Sequence, residues 1–279
     1  MEKIKIITDS TVDLPKELLR ELDIDVLPVL INFGEESYLD GVEMDLNEVF
    51  KRIDEGDVFP TTAQITPNRF VEVYKKYIDE GYKVLSIIMS SGMSGTYESA
   101  CLAKQMLETE DVEIIDSQTI TSGLGLLVIR AANLRDQGKS IKEIVTELEE
   151  LKPYIRSSLS FESLDNLVRG GRLPKAVSVV TGILGIRLIL EVRDGVMALK
   201  DKVRGNKKAA KKIINDIEKL VPRKDMPVAL INLDSDEIYD VIKEYLDNNN
   251  INYINVPIGC SVGIHSGNKA VGVFFASEN

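Results

Sequence analysis

Four hydroxyl side chains, Ser90, Ser91, Ser94 and Thr96, crowd into seven residues with Gly92 and Gly95 between them, directly after the mainly apolar run 83–89. A short run of that kind reads as a buried strand. In a parallel α/β sheet, ligands sit beyond the carboxyl ends of strands, where glycines admit backbone N–H groups and the next helix offers its positive end. The chemistry implied is a small anion site. No lysine follows Gly95 as a P-loop would require, so a carboxylate or a single phosphate fits better than a nucleoside triphosphate. For Ser91 and Ser94, set among glycines, ligand binding is the stronger reading.

Two further strand exits carry the same groups, Thr8-Asp9-Ser10 and Asp116-Ser117. Adjacent strands would gather all three on one sheet edge, although Asp and Ser after strands are also ordinary helix caps. PTTAQITP, at 60–67, adds Thr61, Thr62 and Gln64 as a plain loop or as the lid of the same site. His265 is the only histidine, so any His-dependent acid, base or triad must use it. Within GIHSG it stands in a glycine-flanked loop, where ligand contact and loop capping are both open, and it could donate to a carboxylate. Strand, serine turn and helix also resemble a nucleophile elbow. A lipid ester or thioester hydrolase using Ser94 and His265 is therefore the alternative reading, against which Gly92-Met93-Ser94-Gly95-Thr96 lacks the second glycine of that motif. A small-anion or phosphosugar binder is a third. GLGLLV at 123–128 lacks the third glycine of a dinucleotide fingerprint and lies inside a helical pattern, which excludes that use.

Two basic clusters interrupt an acidic chain of net charge −11. Lys200, Lys202, Arg204, Lys207, Lys208, Lys211 and Lys212 have a solvated helix face as their ordinary reading. Arg169 and Arg172 flank two glycines, and a guanidinium fork held by tight backbone suits a carboxylate or phosphate. The overall charge opposes nucleic acid or an anionic membrane surface as main partner. Cys101 and Cys260 lie far apart, with no CxxC and no metal-ligand spacing, and MEKIKIITDS reads as a strand rather than a signal peptide. A cytoplasmic protein without metal or cofactor is expected.

The scaffold follows from periodicity. Up to about residue 151 strand and helix patterns alternate: strands over 3–11, 25–33, 83–89 and 112–117, and helices over 15–22, 43–55, 67–80, 96–107, 122–137 and 140–151. Ser140 with Glu143 forms a capping box. This order predicts a parallel sheet covered by helices. Past Pro153 the pattern changes: 186–204 is two alternating runs about Asp194-Gly195, a hairpin signal and hence antiparallel sheet. Helices follow over 206–220 and 236–248, and strands over 226–233, 251–257 and 270–276. The expected fold is an N-terminal α/β domain over 1–155 and a C-terminal α+β domain over 156–279, with a ligand between them. The apolar stretch 177–190 is core by default, or the wall of an acyl tunnel, where each buried CH₂ contributes roughly 0.8 kcal/mol. The near-apolar stretch 176–192 falls short of the roughly 18 residues of a membrane span.

Taken together, TDST at 8–11, TTAQ at 61–64, SSGMSGTYESA at 90–100, DS at 116–117, LVRGGRLPK at 167–175, KVRGNKKA at 202–209, and GIHSG with AVGVFF make a specific set. Along nearly its whole length the chain resembles the DegV family of bacterial fatty-acid-binding proteins. The resemblance implies one long-chain fatty acid buried between the two domains. Its carboxylate would be held by Thr62 and Ser94, with Ser91, His265 and the backbone of Gly92 and Gly95 close by. It also implies a carrier without catalytic groups of its own. Such a carrier is the fatty-acid-binding subunit of a bacterial fatty-acid kinase, presenting the carboxylate to a separate ATP-dependent enzyme that makes acyl phosphate for phospholipid synthesis. Arg172, Lys202, Arg204 and Arg169 would then face the kinase or the phosphorylated head group. The chain departs from the family pattern at Ala63, where Ser is usual, at 65–67, at Arg187-Leu188 and at Asn268-Lys269.

Overall fold

A computed structural model describes residues 2–56, 58–173 and 185–278. In chain order the first half comprises β1 (Ile4–Asp9), α1 (Lys16–Glu21), β2 (Ile24–Leu27), β3 (Leu30–Phe33), β4 (Glu36–Leu39), α2 (Leu46–Asp54), β5 (Thr61–Ala63), α3 (Pro67–Asp79), β6 (Lys83–Ile88), α4 (Thr96–Leu107), β7 (Val112–Asp116), α5 (Ser122–Asp136) and α6 (Ile141–Leu151). The second half comprises β8 (Ile155–Phe161), α7 (Asp165–Arg169), β9 (Ile186–Arg193), β10 (Val196–Arg204), α8 (Asn206–Leu220), β11 (Val228–Leu233), α9 (Asp236–Asn248), β12 (Tyr253–Val256), α10 (Cys260–Ser266) and β13 (Ala270–Ala276).

The mixed α/β class is the expected one. A parallel sheet runs β2-β1-β6-β7, and a six-stranded sheet runs β10-β9-β8-β13-β11-β12, antiparallel except where β11 meets β12. A small antiparallel sheet, β4-β3-β5, stands beside them. The two larger sheets share one helix. α5 packs on β1 and β6 with one side and on β8, β11 and β13 with the other, so its apolar residues are not confined to one stripe. Leu124, Leu126, Leu127 and Val128 are all buried. The two glycines of GLGLLV have their reason here. A Cβ on Gly123 would meet Phe274 of β13 at 2.8 Å, and one on Gly125 would meet Leu14 at 2.7 Å. They let the helix fit between two sheets.

Three local expectations are corrected, and one strand, β8, has no counterpart in the sequence reading. The strand expected over 25–33 is two strands, β2 and β3, because Pro28 has no N–H to donate and turns the chain from one sheet into another. The segment expected to be loop or lid at 60–67 contains β5, whose Thr62 stands opposite Ile31. In the expected loop 259–267, Cys260–Ser266 form a short helix, α10. β8 escapes a period-2 reading because its serines are buried on both faces of the sheet: Ser157, Ser158 and Ser160. Of the apolar stretch 177–190, residues 177–184 lie outside the described residues; Leu188, Ile189 and Leu190 are core positions of β9.

Candidate functional site

The site forms where loops from both halves meet. After β6 the chain turns through Ser90–Ser94, and the hairpin turn of the second half docks on it. The Ser90 hydroxyl donates to the Gly195 carbonyl at 2.6 Å, and a Cβ on Gly92 would lie 2.9 Å from the same oxygen. Asp194 and Gly195 both have positive φ, at 51° and 77°, as a tight two-residue hairpin requires. Arg172, just past α7, reaches across and donates from Nε to the Met93 carbonyl at 3.1 Å, and also to the Gly170 carbonyl.

α10 brings His265 to this seam. Its position is fixed at both ends. Asp40 accepts from the Cys260 N–H at 3.1 Å, the Ser261 N–H at 3.3 Å and the Ser10 hydroxyl at 2.8 Å, while Asp13 accepts from the Gly259 N–H at 2.8 Å. The Asn166 amide of α7 donates to the Ile264 carbonyl at 2.9 Å. The imidazole then meets Thr62 of β5, with Nε2 and Oγ1 3.1 Å apart. Its Nδ1 is buried without a hydrogen-bond partner among the described residues, and a Cβ on Gly170 would stand 2.2 Å from it. Burial, reinforced by the Arg172 charge, pushes the His265 pKa down to about 4, so the ring is neutral at physiological pH. With Nε2–H donating, the Thr62 hydroxyl accepts and keeps its own proton for a further acceptor.

These groups sit at one wall of a cavity of about 80 Å³ that is lined from both halves. Its remaining walls are largely apolar: Met89, Met93, Ile120, Leu159, Phe161 and Met197. Three unbranched methionines give a wall that adapts to differing ligand shapes. Arg172 also lines it, half-buried, with no carboxylate partner among the described residues, and burial lowers its pKa. A neutral hydrogen-bonding pair beside an unpaired cation, next to an apolar chamber, is complementary to an amphiphile with one anionic end.

The structure therefore brings together Thr62, Ser94, His265 and Arg172. Ser94 lines the cavity, its hydroxyl 2.9 Å from that of Thr96. Ser91 points elsewhere. It donates to Asp116 at 2.5 Å, and Asp116 also accepts its backbone N–H at 3.1 Å, so this serine closes the loop onto β7. Gly92 serves the contact with Gly195. Gly95 makes room for Gln64, whose Oε1 would lie 2.0 Å from an added Cβ and whose Nε2 donates to Ser99 at 3.1 Å. Arg169 is exposed and stacks on Phe59, 3.9 Å from the ring centroid. Lys202 and Arg204 are exposed on β10, an edge strand, and do not line the cavity. Sequence reasoning missed Ser261, Thr121 and Thr11, which also line it. Two carry a readable signal, since Ser261 lies four residues before His265 and Thr11 is the last residue of the TDST segment; Thr121 carries no such signal. Among the described residues no cluster of His, Cys, Asp and Glu could hold a metal ion, and no helix is long and apolar enough to cross a membrane.

A family model described as uncharacterised protein, DegV family, matches residues 3–278. A DegV domain-containing protein of Clostridium perfringens is 52% identical over 278 residues, covering 100% of both chains. Among solved structures, a DegV family protein from Thermus thermophilus, described by its fatty acid binding, superposes with a TM-score of 0.90 at 31% identity over 99% of each chain. A stearic acid-binding protein from Eubacterium ventriosum superposes with a TM-score of 0.87 at 26% identity, over 100% of this chain and 99% of that one.

Proposed function

Because this chain belongs to the DegV family, we propose that it binds a long-chain fatty acid in the cavity between its halves, with the carboxylate at Thr62, Ser94, His265 and Arg172. One observation carries this reading: the neutral His265–Thr62 pair stands beside a half-buried guanidinium with no acid partner among the described residues, at the wall of an apolar chamber. A fatty acid supplies both the missing negative charge and the apolar filling. The solved relatives that bind fatty acids with nearly the same backbone support it. Native mass spectrometry of the purified chain, with analysis of an organic extract, tests it. A stoichiometric fatty acid is expected, and a chain that neither carries nor takes up fatty acid refutes the reading. Thr62→Val and Ser94→Ala should each weaken binding by about 1.5–3 kcal/mol, the worth of a hydrogen bond to a charged group.

The role that follows is a carrier with two domains, 1–155 and 156–279, that presents the carboxylate to a partner fatty-acid kinase and supplies no catalysis itself. In this reading Arg172 meets the head group, and the exposed Arg169, Lys202 and Arg204 meet the partner. ATP consumption by such a kinase should depend on the loaded carrier and fall in Lys202→Glu, with fatty-acid affinity unchanged; equal turnover would sink the docking role. The hydrolase alternative has weaker support. His265 Nε2 faces Thr62, and Ser94 pairs with Thr96, so nucleophile and base are not hydrogen-bonded. No labelling of Ser94 by a fluorophosphonate is expected.

A further inference from the structure

Ser261 lies on α10 one turn before His265, so both side chains share a helix face about 6 Å apart along the axis. It lines the cavity and is only 4% exposed. Its hydroxyl is buried without a hydrogen-bond partner among the described residues. As the second residue of α10, Ser261 has no helical turn before it whose carbonyl its hydroxyl could bond. Thr11, which also lines the cavity, donates its hydroxyl to Asp9 at 2.5 Å, whereas the Thr121 hydroxyl, beside the buried Asp13 carboxyl, shares the unpartnered state of Ser261 among the described residues. A buried hydroxyl left unmade is costly, and alanine would fill the position with better helix propensity.

We propose that Ser261 is a specificity-determining residue that hydrogen-bonds an oxygen carried by the acyl chain within a few carbons of the carboxylate, so that the cavity accepts hydroxy- or oxo-acyl chains as well as plain ones. This rests on the fatty-acid reading above. With the carboxylate at His265 and Thr62, the first carbons of the chain would lie near Ser261, which lines the same cavity as the apolar Met89 and Ile120. A hydroxyl there would otherwise be stripped of water with nothing to replace it, and affinity would fall. Ser261 supplies the replacement.

The experiment is calorimetric titration of delipidated wild type and Ser261→Ala with palmitate, β-hydroxypalmitate, δ-hydroxypalmitate and ω-hydroxypalmitate. In the wild type at least one of the β- and δ-hydroxy acids should bind nearly as well as palmitate. In Ser261→Ala the affinity for that acid, relative to palmitate, should fall about fivefold to tenfold. Palmitate itself should bind the variant equally or more tightly, and the ω-hydroxy acid, with its oxygen at the far end, should keep its wild-type ratio to palmitate. An unchanged ratio for both near-carboxyl hydroxy acids overturns the inference while leaving fatty-acid binding intact. Equal weakening of palmitate and the hydroxy acids overturns it too, since Ser261 would then hold a water common to every complex. Failure of the wild type to bind palmitate removes the carrier reading and this inference together.

Discussion

His265 can be titrated alone, because the chain has no other histidine. Its pKa lies at about 4 in the folded, ligand-free protein against an ordinary 6.5, owing to burial and the Arg172 charge. A group whose folded pKa is depressed leaves stability intact above its unfolded pKa. Below that, the unfolded chain takes up a proton that the folded one refuses, so stability falls as pH drops from about 6.5 to about 4. The gap is about 2.5 pH units, which at about 1.36 kcal/mol each amounts to about 3 kcal/mol. The perturbation is His265→Gln, which keeps a polar group for Thr62 and removes the titration. Urea unfolding of delipidated wild type and variant at a series of pH values should show the wild type losing about 3 kcal/mol more than the variant between pH 7 and pH 4. The imidazole resonances of the wild type, followed by NMR over the same range, should report the low midpoint directly, and a bound carboxylate should move that midpoint upward. A free imidazole titrating near 6.5, or a stability difference flat with pH, would refute both the burial and the role given to Arg172.

Gly170→Ala should drive the imidazole off its seat, since the new Cβ would lie 2.2 Å from Nδ1; fatty-acid affinity is expected to fall at least tenfold with the protein still folded, as seen by calorimetry and circular dichroism. Asp40→Ala leaves two amides of α10 and the Ser10 hydroxyl without their acceptor, and unfolding free energy should drop by about 3 kcal/mol. Burial pushes the Cys260 thiol up to about 12, so a disulfide reagent at pH 8 should modify the half-buried Cys101 quickly and Cys260 only on unfolding.

Features that depend on neighbours in sequence were readable without the fold. The Ser140–Glu143 box caps α6 as its spacing requires, with both reciprocal bonds present, and Asp194-Gly195 turns β9 into β10. What failed were features decided by distant partners. Three of the seven residues of β8 are serines, and it escapes notice because they are buried: Ser158 donates its hydroxyl to Asp216 of α8, and the Ser157 hydroxyl accepts from the Val192 N–H of β9. α10 is seven residues long with Gly263 inside it, and that glycine is needed because a Cβ would lie 2.2 Å from Leu46. The site divides likewise. Thr62, Ser94 and His265 converge, but nothing local separates Ser94 from Ser91. Only the placement of Asp116 on the neighbouring strand decides which of them faces the cavity.

The pairing of Thr62 with His265 joins residues 203 positions apart, and β13, which follows His265, is an interior strand between β8 and β11. At translation rates of about 5–20 residues per second, roughly 10–40 s pass between the synthesis of one half of the head-group pair and the other. α5, complete by residue 136, packs on β1 and β6 before β11 and β13 have been made, so the side it turns to the second sheet stays uncovered until those strands arrive. The cavity, lined by residues from Thr11 to Ser266, likewise gains its second wall only then.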